Sequence, residues 1–266
     1  MYDIFFNLGG GRLQLLPSFG YYVAHARGLT DMATEWARSV RQNAIGESVN
    51  NPVTSGRNIT LEGYILDGNA TARLNLLRAV PPQGRGTISV MGYTSETSRS
   101  RYSTDVVVVN TPIITHEKHA KFSFSLYAPN PFWRQNAVVT SLASYSAIPI
   151  TVNGESDVEY TLNLTMTGAA TQITLILDYG ESDTKSMILE FASPLASGDR
   201  LQLTRNDGRL VLTVNGTDRI DAVSMSSDLW FLPRGEHTAK LQVIGGGVST
   251  ASLQFFPLWG GIICDK

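Results

Sequence analysis

The sequence predicts an all-β chain with one short helix, and three observations lead there. First, Phe122-Ser-Phe-Ser-Leu-Tyr127 alternates apolar and polar side chains, the period of a strand with one buried face. Second, Val158, Tyr160, Leu162, Leu164 and Met166 hold the same alternation over nine positions. Third, most of the remaining apolar residues fall in short β-branched or alternating runs, bounded by Gly, Asn and Pro at near-even spacing.

In the first half, residues 59–65, 87–91, 103–109 and 121–127 are expected as strands. Between the first two, Asn69 can cap a short helix in which Ala70, Leu74 and Leu77 recur on one face. Pro81 and Pro82 force Val80 out of helical geometry and end it. Residues 30–44 fit either period, since Met32, Trp36 and Val40 suit a helix face or alternate strand positions; they are assigned to strand. The strand at 121–127 runs into Ala-Pro-Asn-Pro-Phe-Trp-Arg134. Neither Pro129 nor Pro131 can donate to a ladder and each restricts the residue before it, so Phe132 and Trp133 leave in a fixed direction. Such an aromatic corner closes a core or makes a contact surface, and it holds no proton-transfer group.

In the second half, strands are expected at 158–166, 173–177, 187–191, 201–204, 210–214, 220–223, 240–244 and 252–256. Asn206-Asp-Gly208 and Asn215-Gly216 tolerate positive φ and should close hairpins. Many short strands with almost no helical pattern predict a β-sandwich of jelly-roll or galectin-like type. The polar, weakly patterned stretch 140–156, with Pro149 and Gly154, is the expected boundary, giving domains at 1–150 and 151–266.

Length and composition agree. A chain of 266 residues, 42% hydrophobic and 17% charged, exceeds the ~100 to 200 residues of one domain. The net charge of −2 is uneven: residues 1–150 hold 13 Lys/Arg against 9 Asp/Glu, and residues 151–266 hold 8 against 14. The two halves therefore present different surfaces. A single cysteine, Cys264, excludes an internal disulfide framework and points to a reducing compartment. Met1-Tyr-Asp-Ile-Phe-Phe lacks the basic start of a signal peptide, and no window reaches the roughly 18 apolar residues of a membrane span. Asn-x-Ser/Thr matches at Asn58, Asn69, Asn163 and Asn215 are taken as turn and strand chemistry.

No catalytic constellation emerges. Of the histidines His25, His116, His119 and His237, only the pair His116 and His119 is close in sequence, in a turn or strand where i and i+3 diverge. No nucleophile elbow, metalloprotease motif or phosphate-binding loop is present. Glu181 with Asp183, and Asp218 with Asp221, sit in Gly-flanked loops where solvation is the default. Neither cofactor nor metal is expected. Arg99-Ser-Arg101 is too small a basic patch for the several phosphate contacts that nucleic-acid binding needs. The rival function is carbohydrate binding by the C-terminal sandwich on an aromatic platform of Tyr179, Trp230 and Trp259. Against it, Trp230 lies in the apolar run Leu229-Trp-Phe-Leu232, which favours core packing.

One resemblance covers the first 135 residues or so. Arg57-Asn-Ile-Thr-Leu-Glu-Gly63, the short helix with Arg73 and Leu77, then Pro81, Gly84 and Gly86 before a strand, and finally Tyr127-Ala-Pro-Asn-Pro-Phe-Trp133, resemble the N-terminal domain of phage distal tail proteins. Phe231-Leu-Pro-Arg-Gly-Glu236 extends the likeness loosely into a galectin-like second domain. The sequence departs at Asn130, where the family often has an acidic residue, and at Glu236-His237.

The resemblance implies an N-terminal β-sandwich or barrel-like domain that forms a hexameric ring, followed by an outward galectin-like sandwich. It implies a non-enzymatic virion protein at the phage or prophage tail tip, made in the host bacterial cytoplasm, joining the tail tube protein to a tip protein and to receptor-binding proteins. No membrane or specific nucleic acid is implied. Contacts would involve Arg57, Arg73, Arg99, Arg101, Tyr102, Pro131, Phe132 and Trp133, with residues 94–102 reaching to the adjacent subunit.

Overall fold

The computed structural model describes residues 3–30, 34–40, 47–93, 98–178, 184–206 and 209–262. Two compact units emerge, the first formed by residues 1–135 with 259–266 and the second by residues 136–258.

The strands of unit 1 are β1 (Ile4–Asn7), β2 (Arg12–Leu15), β3 (Tyr21–Arg27), β4 (Thr34–Val40), β5 (Glu47–Thr54), β6 (Arg57–Ile65), β7 (Arg85–Tyr93), β8 (Arg99–Ile114), β9 (Ala120–Ala128) and the two-residue β10 (Trp133–Arg134). One helix, α1 (Ala70–Ala79), lies between β6 and β7. The main sheet runs β2-β1-β7-β8-β9-β6-β3, with β10 joined to β8 through Arg134 and Ser103. Alternation dictates its inner face. Ile59 and Leu61 on β6, Phe122, Phe124 and Leu126 on β9, and Ile88 and Val90 on β7 turn into one core, in which the Phe6 and Phe124 rings meet edge-on at 5.6 Å. Strands β4 and β5 pair only with each other among the described residues, which places residues 34–40 in a strand as the sequence suggests.

The helix forms where expected, with Asn69 Oδ1 accepting from the Ala72 N–H. Its buried face differs, however. Ala72, Leu76 and Ala79 enter the core, whereas Leu74 and Leu77 are 46% and 47% exposed. The small–large–small set lets the helix lie close to its neighbours, and the Tyr21 hydroxyl donates to the Ala72 carbonyl at 2.7 Å.

Unit 2 is a sandwich. Its strands are β11 (Val138–Ser141), β12 (Ala147–Val152), β13 (Tyr160–Met166), β14 (Ala170–Asp178), β15 (Thr184–Leu195), β16 (Arg200–Asn206), β17 (Arg209–Val214), β18 (Thr217–Asp218), β19 (Gly235–Ile244) and β20 (Val248–Phe255). One sheet runs β11-β20-β13-β16-β17-β18 and the other β12-β19-β14-β15. Their facing side chains, including Leu162, Leu164, Leu175, Leu203, Leu241 and Leu253, share one buried cluster. Strands β17 and β18 are joined by Asn215 and Gly216 at φ 53° and 80°, the positive-φ hairpin that the Asn-Gly pair predicts.

Two expectations change here. The expected division at 150 falls inside unit 2, because β11 pairs with β20 and β12 with β19. Pro149 is accommodated because β12 is an edge strand, where a missing donor costs nothing in the ladder. Residues 220–223, expected as a strand, form a 3₁₀ turn at Ile220–Ala222, since the Asp218 carboxylate accepts from the Ile220 N–H at 3.0 Å and turns the chain.

Candidate assembly surfaces

The proline-locked corner points inward. Pro131 is buried, Phe132 half-buried, and Trp133 wholly excluded from solvent. Asn130 Oδ1 accepts from the Phe132 N–H at 3.0 Å, an Asx turn that aims the next residue at the core. Above the Trp133 ring lies the guanidinium of Arg57, 5.7 Å from the ring centre and only 3% exposed. Arg57 donates to the carbonyls of Gly28 (3.2 Å), Leu29 (3.0 Å) and Gly260. Gly28 makes that approach possible. It sits at φ 79°, and a Cβ there would strike the Asn58 carbonyl. Arg57 and Trp133, expected as contact residues, are thus core-closing residues of unit 1.

Other expected contact residues do reach the surface. Arg99 pairs with Asp3 at 3.1 Å and lies 5.3 Å from the Tyr93 ring centre. Arg101, exposed, covers the Phe5 ring at 4.8 Å. Both belong to the hairpin of β7 and β8, whose tip at 94–97 lies outside the described residues. Tyr102, the residue after Arg101, alternates inward and is buried edge-on against Trp259 at 6.3 Å. Arg73 sits apart on α1, donating to the Glu117 carbonyl at 2.9 Å. The structure therefore groups Arg99 with Arg101 and Arg57 with Trp133, and joins neither pair to Arg73.

Further surface was missed in the sequence. Between β8 and β9 the register shifts at Asn110 and again before Ile113, and this doubled irregularity leaves Val109 56% and Ile113 73% exposed. Two hollows of about 390 and 480 Å³ flank Ile113. The only hint in the sequence is that 106–109 are four consecutive valines, followed by Asn110 and Pro112.

Two residues of the expected carbohydrate platform, Trp230 and Trp259, lie among the described residues. Trp230 is 6% exposed and stacks on Tyr160 at 4.6 Å in unit 2, Trp259 is half-buried in unit 1 with its Nε1 donating to Gln135 Oε1, and Tyr179 lies outside the described residues. Cys264, Glu181 and Asp183 lie outside them too. His116 and His119 occupy the exposed loop between β8 and β9, and no group of three His, Cys, Asp or Glu side chains among the described residues could hold a metal ion. No described helix is long and apolar enough to cross a membrane.

With both units described, the fold has counterparts of defined class: the chain has the fold of phage tail hub and baseplate proteins. It is similar to the SPP1 Dit protein, described as a paradigm of the hub adsorption apparatus in phages infecting Gram-positive hosts. The TM-score is 0.72 at 15% identity, covering 97% of this chain and 99% of that one. It is also similar to chains of the phage p2 baseplate in its activated conformation, with calcium (TM-score 0.51) and with strontium (0.53), each at 8% identity and covering 98% of this chain and 99% of the other. No protein-family model and no curated protein matches the sequence.

Proposed function

We propose that this chain is a distal tail hub subunit of a bacteriophage, a structural virion protein whose copies close into a ring joining the tail tube to the tail tip. The observation that carries the proposal is the agreement of fold with SPP1 Dit over both units in order, end to end. Physical features of unit 1 support it. The β4–β5 hairpin is a two-stranded ribbon that no other described strand completes, and an isolated ribbon of this size is marginal in water unless something covers it. Strand β3 ends the main sheet, and no other described strand pairs with its outer edge. A ribbon and an edge on one chain are the two halves of a head-to-tail contact, which closes into a ring when each copy's ribbon reaches the next copy's edge. Ile113, standing between two hollows, and the hairpin tip at 94–102 are further contact points in this reading. Function then follows from shape, with no bond made or broken, and the partners are other copies, the tube protein, a tip protein and receptor-binding proteins.

The test is the mass and appearance of the purified full chain by light scattering and negative-stain imaging, with and without the tube protein. A closed ring is expected, and removal of residues 34–54 should leave subunits that do not close. A chain that stays monomeric in the presence of the tube protein, or that turns over a defined compound at a rate abolished by one substitution, overturns the proposal.

A further inference from the structure

Unit 2 carries an arginine at one end of its sandwich that no described acidic group pairs with. On β16 the alternation that turns Leu201 and Leu203 into the core brings Arg205 to the same face. The guanidinium lies 4.0 Å from the centre of the Phe231 ring, and its Nε is buried without an acceptor. Next to Phe231, the indole of Trp230 is buried and its Nε1 also lacks an acceptor. A buried donor without an acceptor is a cost that an incoming ligand atom can remove. The segment holding these rings is anchored to β15, with the Ser224 N–H donating to the Ile188 carbonyl (2.9 Å) and the Asp228 N–H to the Ser186 carbonyl (2.8 Å). Outward, the same segment shows Met225, fully exposed, and Leu229, 62% exposed.

A guanidinium with no described acidic partner, held over Phe231 and next to the exposed Met225 and Leu229, belongs to the kind of set that anchors protein contacts. An arginine held over a ring keeps its N–H edge for a planar carboxylate. A sugar acid would need a free aromatic face, yet the Trp230 ring stacks on Tyr160 and the Phe231 ring lies under Arg205. Unit 2 holds 7 Lys/Arg against 13 Asp/Glu, so its field opposes an extended polyanion far more than a single carboxylate. We infer that Arg205, Phe231 and Leu229 form a docking site for a protein segment presenting a single Asp or Glu side chain between apolar residues. The carboxylate takes the N–H edge of Arg205, and the apolar flanks cover Leu229 and Met225. This goes beyond the hub proposal and does not rest on it.

The test uses the full chain, labelled with ¹⁵N, and an array of synthetic pentapeptides with Glu or Asp between Leu, Ile or Phe, each beside its Gln or Asn twin. Acid peptides should bind at least tenfold more tightly than their amide twins and shift the Trp230 indole N–H resonance. Arg205→Gln should erase the difference between twins, and Leu229→Ser should weaken both. Thermal melting checks that each variant is folded; Leu229→Ser, at an exposed position, keeps the test open if Arg205→Gln is not. The inference is overturned if the twins bind alike, if neither binds, if Arg205→Gln keeps the preference, or if a hyaluronan tetrasaccharide displaces the acid peptides. None of these readouts depends on ring closure, so the two proposals fail separately.

Discussion

Arg57 lies over the Trp133 ring with its centre-to-guanidinium distance at 5.7 Å, so a strand opening and a proline-locked corner, far apart in sequence, share one buried contact. The guanidinium also donates to the carbonyls of Gly28, Leu29 and Gly260. Arg57→Met should therefore destabilise the protein by about 3 to 5 kcal/mol, from the three charge-assisted hydrogen bonds lost inside unit 1. Trp133→Ala should cost a similar amount through the cavity it leaves, about 3 to 5 kcal/mol. Urea denaturation followed by tryptophan fluorescence measures both; a loss below 1 kcal/mol for Arg57→Met would mean that water replaces the guanidinium.

The helix offers a contrast between neighbours. Leu76 is fully buried, while Leu74 and Leu77 are nearly half exposed. Leu76→Ala should cost about 2 to 5 kcal/mol, whereas Leu74→Ser and Leu77→Ser should each stay within about 0.5 kcal/mol. Equal losses at all three positions would show that the helix turns its other face inward.

Tyr21 supplies a pH signature. Burial pushes its hydroxyl up to about 12, since the phenolate cannot be solvated there, and the neutral group donates to the Ala72 carbonyl. A folded value above the unfolded one means that stability is intact below about pH 10 and falls as pH rises toward 12, by on the order of 1 to 2 kcal/mol. Tyr21→Phe should lose about 1 kcal/mol at neutral pH and flatten that alkaline slope. Chemical denaturation at pH 8, 10 and 11 separates the two effects, and an unchanged slope in Tyr21→Phe would assign it to other groups.

At the β17–β18 turn, the Asn215 side chain donates to Asp199 Oδ1 at 2.8 Å, and the Ala196 N–H donates to Asp199 Oδ2 at 2.7 Å. The side-chain bond from Asn215 first, and then the backbone bond from Ala196, hold the Asp199 carboxyl below its ordinary value. A lowered folded value stabilises above the unfolded carboxylate range and is lost as pH falls through it. Asn215→Gly, which keeps the positive φ, should move the Asp199 titration upward in a carbon-13 carboxyl experiment. No movement would leave the Ala196 N–H as the whole cause.

The strands with clean alternation, β6, β9 and β13, were legible because one face of each meets a core and the other meets water. β1 and β2, four residues each, are too short to show a period, and β12 hides behind Pro149, which only an edge position tolerates. The helix was placed by Asn69 and Pro81, but two apolar stripes fit its turns, and only Tyr21 and the sheet decide between them. The corner at 129–133 was visible as rigid, yet its inward direction depends on carbonyls at residues 28, 29 and 260 that no local pattern brings together. The surface residues were hardest for the same reason: exposure at Ile113 comes from a register shift between strands, and a single sequence carries no record of pairing.

Unit 1 draws residues from both sides of the sandwich in the chain, and Gly260 accepts from Arg57. During translation, therefore, the third acceptor of that guanidinium emerges from the ribosome only after the whole of unit 2 has been synthesised. The sandwich can mature on the ribosome while the first unit waits with an unfinished seam, and a nascent chain cut short after residue 258 would keep the sandwich but lose that seam.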